Sequence, residues 1–208
     1  MPSHSHHRRS IRFPGYDYRQ AGAYFITICT FQRECRLGEV QNGSVKLTQS
    51  GKILQFVWKN LPRGFPHLEL DAFIVMPNHI HGILVLSLAA DCRGDAFAVP
   101  LPHTMVTDHP TKPPPSVNLP TQMLRPHEAC GPPAGSLGAM IQSFKAVTTR
   151  RINRILSTPG ASLWQRNYYE HIIRNEQECQ NIRHYIATNP ATWEEDEHNP
   201  ASPHYKEI

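Results

Sequence analysis

The stretch Leu68-Glu-Leu-Asp-Ala-Phe-Ile-Val-Met-Pro-Asn-His-Ile-His-Gly-Ile-Leu-Val-Leu86 holds two strongly β-prone runs, Leu68 to Met76 and Ile80 to Leu86, parted by Pro77-Asn78. Runs of this kind form strands and a Pro-Asn pair turns the chain, so the segment reads as an antiparallel hairpin at the centre of a sheet. Side chains of a strand alternate between its faces. His79 and His81 therefore share one face while Ile80 looks into the core. Two imidazoles so placed can chelate one divalent ion, and can equally be solvent-facing or hydrogen-bonded strand residues in a chain with 13 histidines.

Working outward toward the N-terminus, Ala23 to Thr30 is rich in β-branched and aromatic residues and reads as a buried strand. Asn42-Gly43 marks a tight turn before a short strand, Val45 to Leu47. Thr48 can cap a helix from about Gln49 to Asn60, with Ile53, Leu54, Val57 and Leu61 on its apolar side. Toward the C-terminus, Leu137, Met140, Ile141, Phe144, Val147, Ile152 and Ile155 recur at helical spacing, with Lys145, Arg150, Arg151 and Arg154 among them, which predicts an amphipathic helix with a basic face. Trp164 to Ile173 reads as a loop and a strand. Asn175, with Glu178 three residues on, can cap a last helix that ends at about Thr188, before Pro190. Helices on an antiparallel sheet, an α+β fold, are the expectation.

Ten of the 19 prolines fall in residues 88–135, which therefore read as a proline-rich insertion rather than core. Lys and Arg number 21 against 17 Asp and Glu. Residues 191–208 hold five acids and one base, so residues 1–190 carry 20 bases and 12 acids, a net of +8. Such a body attracts polyanions, and the acidic tail, 191–208, is expected to be a solvated end or a local counterweight. No apolar run reaches the roughly 18 residues that cross a bilayer. The first residues lack the apolar segment of a secretory signal, so the cytoplasm is the expected compartment. Five scattered cysteines without a CxxC pair suggest free thiols rather than a disulfide framework or a zinc site.

A second chemical feature is Tyr185 with Asn189, four apart and on one side of a helix. Either they form part of a site, or Tyr185 is core beside Cys179 and Ile186 and Asn189 is a helix C-cap. Arg8, Arg9, Arg12 and Arg19, interleaved with Phe13, Tyr16 and Tyr18, form a basic N-terminal arm (1–22) suited to phosphate contacts and base stacking. The helix with Lys145, Arg150 and Arg151 is a second candidate DNA surface, and Arg166 with Arg174 a third. Tyr168 and Tyr169 alternate faces, one for the core and one free to stack on a base. His171 reads as a structural hydrogen-bonding residue.

The strand Ala23 to Thr30, the stretch Asp71 to Leu84, Trp164-Gln-Arg-Asn-Tyr-Tyr-Glu-His-Ile-Ile-Arg-Asn-Glu176 and Tyr185-Ile-Ala-Thr-Asn-Pro190 together resemble the HUH single-tyrosine transposases, in particular the REP-associated tyrosine transposases of bacteria. The likeness spans most of the chain apart from the insertion and the tail. It implies a ferredoxin-like catalytic domain over 23–190, interrupted by 88–135. His79-Ile80-His81 matches the His-hydrophobe-His motif, Tyr185 the nucleophile, and Asn189 a third ligand for Mg²⁺ or Mn²⁺. The implied activity is metal-dependent cleavage and strand transfer on single-stranded hairpin or palindromic DNA, through a 5′-phosphotyrosine, by a bacterial protein held at the nucleoid by DNA. Some members of the broader family exchange the tyrosine helix between subunits, whereas REP-associated members can act alone, so monomer and homodimer both fit. Two rivals are a non-cleaving hairpin-binding regulator and a phosphodiesterase that uses water in place of Tyr185.

Overall fold

The computed structural model of the chain describes residues 19–87 and 132–205. Arg8, Arg9 and Arg12 and residues 88–131 of the insertion lie outside the described residues. Among the described residues, six strands and three α-helices follow in the order β1 (Gly22–Cys29), β2 (Gly38–Gln41), β3 (Ser44–Leu47), α1 (Gln49–Lys59), β4 (Leu68–Val75), β5 (His79–Leu86), α2 (Leu137–Leu156), β6 (Tyr169–Ile173) and α3 (Glu176–Thr188). The main sheet runs β4-β5-β1-β6 with every neighbouring pair antiparallel. Counting only those four strands in chain order, the arrangement is 2-3-1-4, the ferredoxin-like split βαβ pattern.

The local rules explain most of these boundaries. Thr48 caps α1 by accepting from the Gly51 N–H, and Ser136 and Asn175 do the same for α2 and α3 through Ala139 N and Glu178 N. Asn42 and Gly43 both have positive φ, +52° and +70°, the requirement for a two-residue hairpin turn of the twist-matched kind. They close the β2–β3 ribbon; its β2 half, Gly-Glu-Val-Gln, has no apolar alternation and was not anticipated. The β4–β5 hairpin exists, but it is not wholly central. β5 lies inside the sheet between β4 and β1, whereas β4 is an edge strand with a bulge between Leu70 and Phe73. The difference follows from composition: β5 is apolar or histidine almost throughout and buried, while β4 carries Glu69 and Asp71 and is half-buried.

Strand alternation sorts the sheet into two faces. Tyr24, Ile26 and Ile28 of β1 and Ile80, Leu84 and Leu86 of β5 pack with α1 and α2 in the larger core. Trp58 of α1 stacks on Phe73 at 4.4 Å between ring centroids and meets Phe144 of α2 edge-on at 5.6 Å. Gly82 allows this approach, because a Cβ there would stand 2.5 Å from Trp58 Cζ2. On the opposite face, Ala23, Phe25, Ile83 and Ile173 pack against Cys179, Ile182 and Ile186 of α3. An ion pair at the β4 bulge, Arg183 to Asp71 at 2.5 Å, fastens α3 to the sheet edge. Thr27 and the two histidines of β5 belong to this second face by register, with Thr27 opposite His81 and Cys29 opposite His79.

Candidate active site

His79 and His81 are fully buried, not solvent-facing. Their Nε2 atoms stand 3.0 Å apart. Asn78 sets the protonation of His79. Its Nδ2 donates to the carbonyls of Arg33 and His198, at 3.0 and 2.7 Å, so its Oδ1 is the end that faces His79 Nδ1 at 2.9 Å. That oxygen accepts, His79 carries its proton on Nδ1, and its Nε2 keeps a lone pair. His81 Nδ1 meets the Thr27 hydroxyl at 2.8 Å, a group that can donate or accept and so tolerates either tautomer. Burial, reinforced by the neighbouring imidazoles, pushes His79 well below 6.5, and burial with the charge of His198 pushes His81 down to about 3. Both rings are therefore neutral at pH 7, the form that ligates metals.

Tyr185, on the third turn of α3, brings its hydroxyl to 3.3 Å from His81 Nε2 within one chain. Its ring sits edge-on to Phe25 at 6.2 Å and remains 43% exposed, so the phenol is positioned by packing yet open to a substrate. Burial of the hydroxyl region, with the carboxylates of Asp196 and Glu197 nearby, pushes its pKa up to about 12. One turn on, Asn189 caps α3 and its backbone N–H bonds to the Tyr185 carbonyl. The Asn189 side chain is buried; its Nδ2 donates to Asp196 Oδ2 at 2.9 Å, and its Oδ1 has no hydrogen-bond partner among the described residues.

Part of the acidic C-terminal segment belongs to this site: Asp196 turns in, which corrects the expectation of a solvated end there, while Glu194, Glu195 and Glu197 are exposed. A 3₁₀ segment, Asn189–Glu195, turns the chain back across the sheet face. His198 lies over His79, ring centroids 4.5 Å apart, and Trp193 lies 6.0 Å from the same ring. His198 Nδ1 stands 3.2 Å from Asp196 Oδ1, within ion-pair distance though not aligned as a hydrogen bond. Burial opposes its charge, but Asp196 and Cys29 lift it to about 9. Arg33, itself buried, ties the segment down by donating to the Glu197 carbonyl and lying over the Tyr205 ring. Five acids in eighteen residues looked like solvent-facing sequence; turned inward, one of them anchors a ligand candidate.

A cleft of about 720 Å³ opens on His81, lined also by Thr27, Tyr185, Arg33, Arg166, Tyr169 and His198 among others. Tyr169 is half-exposed and edge-on to Phe25, while Tyr168 packs against the core, the division expected from alternation. Arg166 is exposed at the cleft, and Arg150 lines a neighbouring groove of about 670 Å³ between α2 and residues 160–168. Lys145 is turned inward instead. It donates to the carbonyls of Gln165, Arg166 and Asn167 at 3.0 to 3.3 Å, and burial pulls its pKa down to about 8. Arg151 lies over the exposed Phe56 ring, and Arg174 is exposed at the start of α3, away from the cleft lining.

No protein-family model matches the chain. An uncharacterized protein of Haemophilus influenzae is 35% identical over 192 residues, which cover 92% of this chain and 93% of that protein. The two belong to one family. Among solved structures, a REP-associated tyrosine transposase bound to a REP hairpin superposes with a TM-score of 0.50 over 86% of this chain and 72% of that one, at 18% identity. This chain therefore shares the fold of that tyrosine transposase, as the sequence resemblance implied.

Within that fold, four groups beside the pair were not anticipated: Asn78, Thr27, Asp196 and His198. Asn78 and Thr27 touch the histidines through strand neighbours, so a register would have located them. Asp196 and His198 reach the site through a chain reversal after Pro190 that carries no periodic signal. His171 bonds Glu178 at 2.7 Å, and the other Glu178 oxygen accepts from Arg174 N, a helix-start arrangement that accounts for that histidine structurally.

Proposed function

We propose that the chain is a metal-dependent endonuclease and strand transferase that acts on single-stranded hairpin DNA through a covalent bond to Tyr185. One observation carries the reading: the Tyr185 hydroxyl lies 3.3 Å from one member of a buried, neutral histidine pair, at a cleft of about 720 Å³. The hairpin partner is suggested by the REP hairpin on the structural relative.

The residues fit a divalent cation. Two neutral imidazoles can offer Nε2 lone pairs, and the buried Asn189 Oδ1 lacks a partner among the described residues, as an oxygen reserved for a ligand would. No group of three or more His, Cys, Asp or Glu is arranged for a metal among the described residues, so the set must be completed by the amide oxygen, water and phosphate. His79, His81 and Asn189 would hold Mg²⁺ or Mn²⁺, whose charge would draw electrons from the scissile phosphate and favour ionisation of the nearby phenol.

The rest falls to the chain's own groups. Tyr185 is packed on Phe25 so that its oxygen faces the cleft, and it must give up a proton as its bond to phosphorus forms. The P–O3′ bond breaks, the departing 3′ oxygen takes up a proton, and one phosphodiester replaces another. Strand transfer then needs no nucleotide cofactor. Arg166 and Arg150 would attract phosphates, and the exposed Tyr169 ring offers a stacking surface for a base. Lys145 would hold residues 165–167 while lining the same groove as Arg150. The body of the chain, 23–190, would be the catalytic domain, with the 1–22 arm and Arg174 as outlying DNA contacts. Because tyrosine and histidines meet in one chain, a monomer would hold a complete site, and a homodimer is not required for one.

Labelled single-stranded DNA bearing a short palindrome, incubated with Mg²⁺ or Mn²⁺, should yield a protein–DNA adduct that survives denaturing electrophoresis. Tyr185→Phe should yield none. Binding without cleavage by the wild type would favour the regulator, and cleavage by Tyr185→Phe would favour attack by water.

A further inference from the structure

Asn189 presents a choice that its own position does not decide. A carboxamide has an accepting end and a donating end of nearly the same shape, and only the oxygen can ligate a cation. The cap geometry of α3 fixes the Asn189 backbone, but it leaves the amide free to turn either end toward the site.

Asp196 removes that freedom. Its Oδ2 takes the Asn189 Nδ2 hydrogen at 2.9 Å, and its Oδ1 takes the His198 backbone N–H at 2.6 Å. Both oxygens are acceptors, so a reversed amide would set oxygen against oxygen in a nearly buried place; the Asp196 side chain is 5% exposed. The carboxylate is itself held by the returning chain. Asn199 N donates to the Asp196 carbonyl at 3.0 Å, and Asn78, the residue that sets the His79 tautomer, holds the His198 carbonyl. Both Asp196 oxygens are thus taken up by Asn189 and His198, so Asp196 stands as the partner of a ligand rather than a ligand.

We propose that Asp196 is a positioning residue that fixes the Asn189 amide with Oδ1 toward the cation site; this rests on the reading of Asn189 as a ligand. Partners of this kind typically change metal affinity about ten- to a hundredfold when altered. Asp196→Asn can keep one of the two hydrogen bonds but not both, since its amide nitrogen would face a donor. It preserves size and should preserve the fold, which circular dichroism and thermal melting would check.

The test is a double-mutant cycle read by Mn²⁺ binding, using calorimetry and the loss of the free-ion electron paramagnetic resonance signal, without DNA or turnover. Asp196→Asn should weaken Mn²⁺ binding by about tenfold or more in the chain with Asn189. Asn189→Asp presents an oxygen at either end, so in that background Asp196→Asn should cause no loss. Equal loss in both backgrounds, or none in the first, would overturn the positioning role alone. Absence of Mn²⁺ binding by the wild type would overturn the metal reading itself and the inference with it.

Discussion

Thr27 and the histidine pair make the chemistry of single side chains measurable. Thr27→Val leaves His81 Nδ1 buried without its partner, and it should cost about 1–3 kcal/mol in urea unfolding. Tyr185→Phe loses only one long hydrogen bond from a partly exposed ring and should cost less than about 1 kcal/mol while abolishing the adduct. The pair also ties stability to acid. Both histidines titrate below 6.5 when folded, His81 at about 3, so below 6.5 the unfolded chain binds protons that the folded chain refuses. Their contribution is complete above 6.5 and is lost as the pH falls through the folded values. A His79→Gln, His81→Gln variant should therefore lose less stability than the wild type between about pH 7 and about pH 4.5, measured by urea unfolding.

Two of the contacts that hold elements together are the close apolar approach at Gly82 and the carbonyl-bound Lys145. Gly82→Ala would place a methyl 2.5 Å from Trp58, forcing α1 off the sheet at about 1–3 kcal/mol, read as a lower melting temperature. Because residue 82 faces α1 and the histidines face α3, adduct formation by the folded variant should persist. Lys145, lowered from 10.5 to about 8, contributes stability that is full above 10.5 and lost as the pH falls through about 8. Wild type should thus gain on Lys145→Gln between about pH 7.5 and about pH 9.5 in urea unfolding. At this scale the sequence was legible where rules are local. Caps at Thr48 and Asn175 and the Asn42-Gly43 turn announce themselves through side-chain and backbone chemistry. Which strand is an edge is a tertiary fact, and the hairpin gave no sign of it beyond Glu69 and Asp71 on β4. The inward turn of Lys145 was equally hidden, since a helical wheel cannot show that a loop twenty residues later offers it three carbonyls.

For the whole molecule, the ferredoxin-like sheet does what a sequence pattern could only suggest. β5 supplies the histidines, α3 the tyrosine and asparagine, and β1 lies between β5 and β6 with Thr27 and Phe25 as the floor. Strand and helix periodicity placed His79 with His81 and Tyr185 with Asn189 on common faces but left core, cap and solvent-facing roles open; the family resemblance is what singled the four out as a candidate site. Asp196 and His198 were not legible, because a chain reversal after Pro190 carries no such period and their acidic company suggested solvent. The net charge of residues 1–190 now reads as partly spent on folding, with Lys145 turned to carbonyls, Arg183 to Asp71 and Arg33 to the tail, leaving Arg150 and Arg166 along the grooves. The central claim is that Tyr185 becomes joined to DNA. Mass spectrometry of the tryptic peptides 167–174 and 184–206 from protein reacted with a hairpin substrate tests it most directly. The claim predicts a nucleotide attached through phosphate to Tyr185, and DNA cut with no attachment, or an attachment at Tyr168, Tyr169 or Tyr205, would contradict it.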